Sequence, residues 1–390
     1  MLAEQGRGGV PQQSSETVLR MKQQLDRRAR FVWPLIRPLV RGKLAKRCAR
    51  CSLPEAFTKL DAQGICGECA THHAKRAQEA VDPVAEAKLA RETDEALRAA
   101  QGAAKGPYDA VLLLSGGKDS IYLIHRIRKE YPDLRILSLL VDNNYMSPVA
   151  LRNAELAAAQ LDVEHVTIRL RPSFVHAVFR YVLTRLERPK DDYPLYALLT
   201  GHMAFDTGRG LAARVGAPLL LTGLSRVQNV TAFGGLELPD QLQASRSGIP
   251  LDALTPSADR HHWFEPSQWP ADRIPRVISP IAIWNLSEIE ITEAVLKAGL
   301  LPASHVSPVV TSDVIYATFL IAEINQFGYS SVDLQWAHRI RAGIVERSYW
   351  INILQMMEYS ARTGRTPWFK NALATAWSLG VNPREIGLPA

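Results

Sequence analysis

The sequence predicts an α/β protein: a parallel, doubly wound sheet, preceded by a small cysteine-rich module and followed by a helical region. Three observations predict it. Between residues 109 and 168, strand-length and helix-length runs alternate as β-α-β-α-β, the order that builds a parallel sheet with helices on both faces. The strand runs are almost continuously apolar, as strands covered on both sides require. A chain of 390 residues, 47% of them hydrophobic, can bury the core of a large domain with attachments.

Each element follows in order. Residues 1–45 form a basic arm in which Arg20 to Arg41 interleaves cations with Leu25, Phe31, Trp33 and Leu35. The first 47 residues hold 11 Lys/Arg against 3 Asp/Glu, so the net charge of +7 belongs to the arm and the remainder is close to neutral. Such a segment solvates itself or packs on its own protein; the partners it would otherwise meet are an anionic membrane surface or RNA. No run approaches ~18 apolar residues and no signal-peptide pattern is present, which predicts a cytoplasmic chain, with the inner membrane surface as the place the arm would take it.

Residues 46–75 carry all four cysteines, as Cys48-Ala-Arg-Cys51 and Cys66-Gly-Glu-Cys69. Two C-x-x-C knuckles close a tetrahedral S₄ site, the geometry zinc accepts without redox chemistry. Two disulfides and an iron–sulfur cluster are the alternatives, with His72 and His73 as spare ligands. Gly64 and Gly67 give the knuckle turns their freedom. About thirty residues are too few to fold on a hydrophobic core, so the expected metal is structural. Residues 76–105 are rich in Ala, Glu and Lys/Arg and predict an exposed linking helix, from Ala74 to about Lys105, ended by Gly106-Pro107.

The domain at 106–300 then lays down strand Asp109–Leu114, helix Lys118–Glu130, strand Arg135–Val141, helix Pro148–Leu161, strand Glu164–Ile168, a helix ending near Val215, and strand Ala217–Leu221. Pro148 suits a first helical position. His202 and Asp206 stand at i and i+4 and most simply pack or cap. Residues 227–275 read as a loop-rich insertion that sets specificity. Its adjacent His261 and His262 point apart on an extended chain, which weighs against a metal there. Ser287 and Glu290 form a capping box and Gly299 closes that helix. Residues 301–390 are helical, with Thr311, Ser312 and Asp313 capping, and Trp336, Tyr349, Trp350 and Trp368 anchoring a core or a homodimer surface.

The chemistry lies between the first strand and its helix, at Ser115-Gly-Gly-Lys-Asp-Ser120. Two glycines let the backbone approach an anion, while the amides of the turn and the helix dipole point at it. Ser115 and Ser120 add hydroxyl donors, Lys118 a charge, and Asp119 a ligand for magnesium. The spacing is neither G-x-x-x-x-G-K-[ST] nor G-x-G-x-x-G. Ligands in open parallel sheets bind beyond the carboxyl ends of the strands. Asp142 and Asn143 after the second strand, and Thr222 and Gly223 after Leu221, are therefore expected to meet adenine, ribose or phosphate.

These residues match S-G-G-x-D-S, and the chain so resembles the PP-loop ATP pyrophosphatases, whose sheet is adenine nucleotide alpha hydrolase-like. The resemblance implies ATP held by Ser115, Gly116, Gly117, Lys118, Asp119 and Ser120, with Lys118 and Asp119 catalytic and Asp119 also holding Mg²⁺. A carbonyl or amide oxygen of a small substrate would attack the α-phosphate, pyrophosphate would leave, and a second nucleophile would displace AMP. With the Cys48, Cys51, Cys66 and Cys69 zinc ribbon ahead, and V-D-N and T-G turns behind, residues 47–225 resemble the N-acetyl sugar amidotransferases of surface-polysaccharide biosynthesis. That implies amidation with ammonia from a separate glutaminase. The alternatives are thiolation of tRNA or of a small-molecule amide, and a non-catalytic nucleotide-binding adaptor. Since the ribbon uses every cysteine, none remains to carry sulfur.

Overall fold

The computed structural model describes residues 14–71, 83–190, 195–233 and 257–388. The chain divides into two compact units, one of residues 81–175 and 197–312, the other of residues 1–80, 176–196 and 313–390.

The first unit is built on five parallel strands: β1 Ala110–Leu113, β2 Ile136–Asp142, β3 Glu164–Arg169, β4 Leu219–Leu221 and β5 Arg276–Ile278. Their order is β3-β2-β1-β4-β5. The chain winds outward from β1 to β3, then restarts on the other side of β1, so the direction of winding reverses between β1 and β4. Side chains alternate across the sheet as the strand period demands. Ala110, Leu112, Leu114, Leu219 and Leu221 enter one core with Ile121, Ile124, Ala154, Ile281 and Val295. Leu113 and Leu220 take the other face, where a Cβ on Gly208 of helix Leu195–Val215 would come within 2.9 Å of each. Helices on both faces make the sheet doubly wound, as its alternation with amphipathic runs predicts.

Helix boundaries near the site follow local chemistry. Helix Lys118–Glu130 starts directly on the loop, with Gly117 as its N-cap residue. Helix Pro148–Gln160 has Pro148 in its first turn and Ser147 accepting from Val149 N. The Ser287–Glu290 capping box is formed, and Gly299 closes that helix at φ +67°. The linking helix, described over Pro83–Ala100, ends before Lys105, and Gly102, at φ +70°, lies in the turn that follows. Residues 72–82, where that helix was expected to begin, lie outside the described residues. Gly106 has a different role, since a Cβ there would lie 2.0 Å from the Val215 carbonyl. The buried Asp109 carboxylate ties this entry to the sheet: it accepts from the amides of Gly102, Ala104 and Arg135 and pairs with the Arg135 guanidinium at 2.6 Å. Strand β5 is only three residues long, and the apolar pair Val277-Ile278 was its sole signal.

The second unit joins both ends of the chain. The arm is helical from Ser15 to Val40, with one wider π turn over Arg28–Val32. Leu25 and Ala29 pack with Trp336, Trp350, Ile353 and Leu354, and Trp33 sets its edge against Tyr359. Asn352 donates to the Ala29 carbonyl at 2.9 Å, inside the π turn. The arm thus packs on its own protein along one stripe, with Trp336 and Trp350 stacked beneath it as core anchors. The cysteine module packs with Tyr329, Leu334 and Ala337. One buried cation joins the two: Arg47 donates to Asp333 at 2.5 Å and Glu358 at 2.9 Å. Glu358 also accepts from Ala45 N at 2.7 Å and Asp333 closes a capping box on Ser330, so neither carboxylate is left uncompensated.

Candidate nucleotide loop and cysteine centre

The Ser115–Ser120 loop leaves β1 beside the reversal point, where an open sheet presents its ligand crevice. Its two glycines differ. Gly116 is left-handed at φ +76°, and a Cβ would lie 1.9 Å from the Ala150 carbonyl, so the chain's own fold requires glycine. Gly117 has an ordinary extended conformation, and a Cβ there would touch only Ser115 Oγ at 3.6 Å. The chain's own packing therefore does not require glycine at 117.

The polar side chains gather around this turn. Ser115 and Ser120 hydroxyls are 3.1 Å apart, and Ser120 Oγ donates to the Gly117 carbonyl. Lys118 is buried; its ammonium lies 2.8 Å from the Asp119 carboxylate and 3.6 Å from Glu288. Asp119 is more open than Lys118, with its side chain 37% exposed. Gly223 closes the site from β4: a Cβ would come 2.9 Å from Ser120 Cα, so the Thr222-Gly223 turn lies directly on the first turn of the loop helix. The buried Thr222 hydroxyl itself bonds Ser279 at 2.7 Å.

Asp142 and Asn143 stand at the end of β2, and their side chains hold the turn together. Asp142 accepts from Asn144 N at 2.8 Å and pairs with Arg169 at 2.6 Å, while Asn143 accepts from Tyr145 N at 2.9 Å. These are Asx turns, in which each side chain satisfies the backbone amide two residues on. His202 and Asp206 are buried, with Asp206 paired to Arg209 at 2.8 Å. Of the insertion, residues 234–256 lie outside the described residues. His261 and His262 sit in a short 3₁₀ turn rather than an extended chain, which brings their rings to 4.2 Å; His262 stacks on Phe174. Burial first, then the neighbouring charges of His261 and Arg171, push His262 down to about 4.

Sequence reasoning missed a support beneath the loop. Asn153 donates to the Gly116 carbonyl at 3.0 Å and its other amide atom meets His305 Nδ1 at 2.7 Å. With the amide nitrogen donating to Gly116, the amide oxygen accepts, so His305 carries its proton on Nδ1. Burial lowers the pKa of His305 and favours this neutral form. The only sequence signal was one asparagine on the apolar face of an alanine-rich helix. Glu288, opposite Lys118, had no signal beyond its place in a capped first turn.

The cysteine centre is compact. The four Sγ atoms are buried and all lie within 4.8 Å of one another, with Cys51–Cys66 at 3.5 Å and Cys48–Cys69 at 3.8 Å. All four are free thiols rather than disulfides. Tetrahedral ligation at a metal–sulfur distance of about 2.3 Å sets sulfurs about 3.8 Å apart, so the donor set fits a single ion. Amides of Arg50 and Cys66 both point at Cys48 Sγ, each at 3.4 Å. Burial raises the Cys48 pKa, but donors from Cys51, Cys66 and Arg50 outweigh it and bring the thiol down to about 6. Cys66, dominated by burial, is pushed up to about 11. Arg347 donates to the Cys48 carbonyl at 2.8 Å and sets a cation beside the cluster. Gly64 is left-handed at φ +74°, but the first knuckle places Ser52, not a glycine, at φ 75°, and Gly67 needs no such freedom.

In motif and in the place of that motif in the fold, the chain resembles the PP-loop ATP pyrophosphatases. No family profile and no curated protein matches the sequence. Among solved structures, it is similar to an NH3-dependent NAD synthetase from Campylobacter jejuni, with 12% identity over 72% of this chain and 97% of that one, at a TM-score of 0.33. An NMN synthetase from Francisella tularensis matches at 13% identity over 71% and 96%, TM-score 0.33. A U34-tRNA thiolase from Methanococcus maripaludis, holding a [4Fe-4S] cluster, matches at 14% identity over 78% and 91%, TM-score 0.29. At these scores none of the three bears on substrate or reaction. No helix among the described residues is long and apolar enough to cross a membrane.

Proposed function

We propose that the chain is an ATP-dependent adenylating enzyme of the PP-loop type. The observation that carries this reading is Gly117: the fold has no use for a glycine there, whereas a phosphate lying on the amides of the loop helix does. ATP would lie with its β- and γ-phosphates on Ser115–Ser120. Lys118, now paired with Asp119, would turn to the phosphates and free that carboxylate to hold magnesium. When bound, the ion neutralises charge on the departing pyrophosphate.

In the first step a substrate carbonyl or amide oxygen forms a bond to the α-phosphorus while the bond to the bridging oxygen breaks and pyrophosphate leaves. In the second, a nucleophile adds to the activated carbon and AMP departs. Ammonia from a separate glutaminase is the nucleophile we favour, giving an amide or amidine, with an N-acetyl sugar as the acceptor class. Thiolation would need a sulfur carrier, and all four cysteines of the chain stand buried in one cluster. Sulfur spacing within 4.8 Å supports a single zinc ion, because a four-iron cluster puts each thiolate on its own iron and spreads them further.

The test is to supply ATP and candidate acceptors with ammonium or with sulfide, measure pyrophosphate, and weigh the product. Amidation predicts acceptor-dependent pyrophosphate release and a nitrogen-bearing product. A sulfur-bearing product would replace it with thiolation, and absence of pyrophosphate release with every acceptor would support the nucleotide-binding adaptor instead.

A further inference from the structure

The arm helix has a second face that its packing leaves uncovered. Leu25, Ala29 and Trp33, at i, i+4 and i+8, hold it to its unit. Phe31, Leu35 and Leu39 repeat the same spacing on another side and are 68%, 76% and 85% exposed, with Val32 and Ile36 exposed beside them. Of the fourteen large hydrophobic residues exposed among those described, these five fall within nine consecutive positions. A contiguous apolar patch on a surface marks something that covers it.

The charge around the patch says what. Residues 27–43 contain Arg27, Arg28, Arg30, Arg37, Arg41 and Lys43 and no acidic residue. All six cations are exposed. A second copy of the chain would bring the same six cations against these in a two-fold interface, where each patch meets itself. RNA would satisfy the cations, but proteins hold single strands by stacking their bases on aromatic rings, and only Phe31 among the five offers one. A bilayer surface satisfies both halves: acyl chains cover the leucines, isoleucine, valine and phenylalanine, while long basic side chains reach up to anionic headgroups.

We propose that the helical segment from Arg27 to Lys43 is an interfacial membrane anchor that lays Phe31, Leu35 and Leu39 into an anionic leaflet. It lies in the plane of the surface and does not span. The anchor is independent of the ATP chemistry proposed above, so either stands if the other fails.

The full-length chain would be sedimented with vesicles of phosphatidylcholine alone and with vesicles containing 30% phosphatidylglycerol. The proposal expects binding to the anionic vesicles, weakened at least roughly tenfold in Phe31→Ser/Leu35→Ser/Leu39→Ser, since three buried apolar side chains are removed. Arg37→Glu/Arg41→Glu should abolish the preference for anionic lipid. Leu39 touches little of its own chain, so Leu39→Glu keeps the test decisive if the triple variant does not fold. Failure to bind either vesicle, or binding unchanged in Leu39→Glu and the triple variant, would overturn the anchor. So would vesicle-free self-association, or retention on RNA alone, that these variants abolish.

Discussion

At the scale of single residues, the fold asks different things of the loop's two glycines. Gly116 answers to the Ala150 carbonyl, and Gly117 answers to nothing the chain supplies. Gly116→Ala should therefore destabilise the protein by about 2–3 kcal/mol or more, through both the left-handed backbone and the clash. Gly117→Ala should leave stability within about 1 kcal/mol, yet weaken ATP binding roughly tenfold, because the methyl occupies the approach to the helix amides. Denaturant melts and nucleotide titrations of the two variants distinguish the roles. Asp119→Asn should keep the fold and reduce pyrophosphate release roughly 10²–10³-fold, since it removes a carboxylate the core does not use. Undiminished release would remove Asp119 from the machinery.

At the scale of elements, legibility followed the range of the interactions. The strand, loop and helix around Ser115–Ser120 were readable because their determinants are contiguous: apolar strand, glycine turn, amphipathic helix. Capping at Ser287 was readable for the same reason. Asp142, Asn143 and Thr222 were placed at the correct strand ends, but that their side chains serve turns and a Ser279 contact was invisible, because a strand end and a ligand contact ask for the same small polar residues. The Asn153–His305 support and the Arg47 network join residues 152, 286 and 311 positions apart, and no local pattern marks such pairs. Arg47 is the element-scale test of that lesson. Arg47→Met should cost about 3–5 kcal/mol, because Asp333 and Glu358 remain buried without their cation; a calorimetric or denaturant melt measures it. In the neighbouring module, Cys48→Ser should reduce the metal taken up by the four-sulfur set and loosen the module's packing on Tyr329 and Leu334, read by metal analysis and tyrosine fluorescence.

At the scale of the whole molecule, stability should carry a pH signature from a buried acid remote in sequence from the loop. Glu323 accepts from Ser331 N at 2.8 Å and Ser331 Oγ at 2.9 Å, and burial pushes its carboxyl up to about 7. The folded chain thus keeps this proton to a higher pH than the unfolded chain, which releases it near 4.5. Stability from this group falls as pH rises from about 4.5 to about 7 and is level above that. Glu323→Gln keeps an acceptor for Ser331 without the charge, so it should stabilise the protein by about 1–3 kcal/mol at pH 8, with the gain vanishing toward pH 4.5. A gain that does not change with pH would mean that packing, not ionisation, sets the difference.

The unit that gathers residues 1–80, 176–196 and 313–390 also imposes an order on biosynthesis. Residues emerge from the ribosome in sequence, yet Leu25, Ala29 and Arg47 wait for Trp336, Asp333 and Glu358, which are made some three hundred residues later. The sheet unit has all of its chain once residue 312 is added. A nascent chain at that stage carries a sheet free to close and a cysteine module still without the helices that will shelter it.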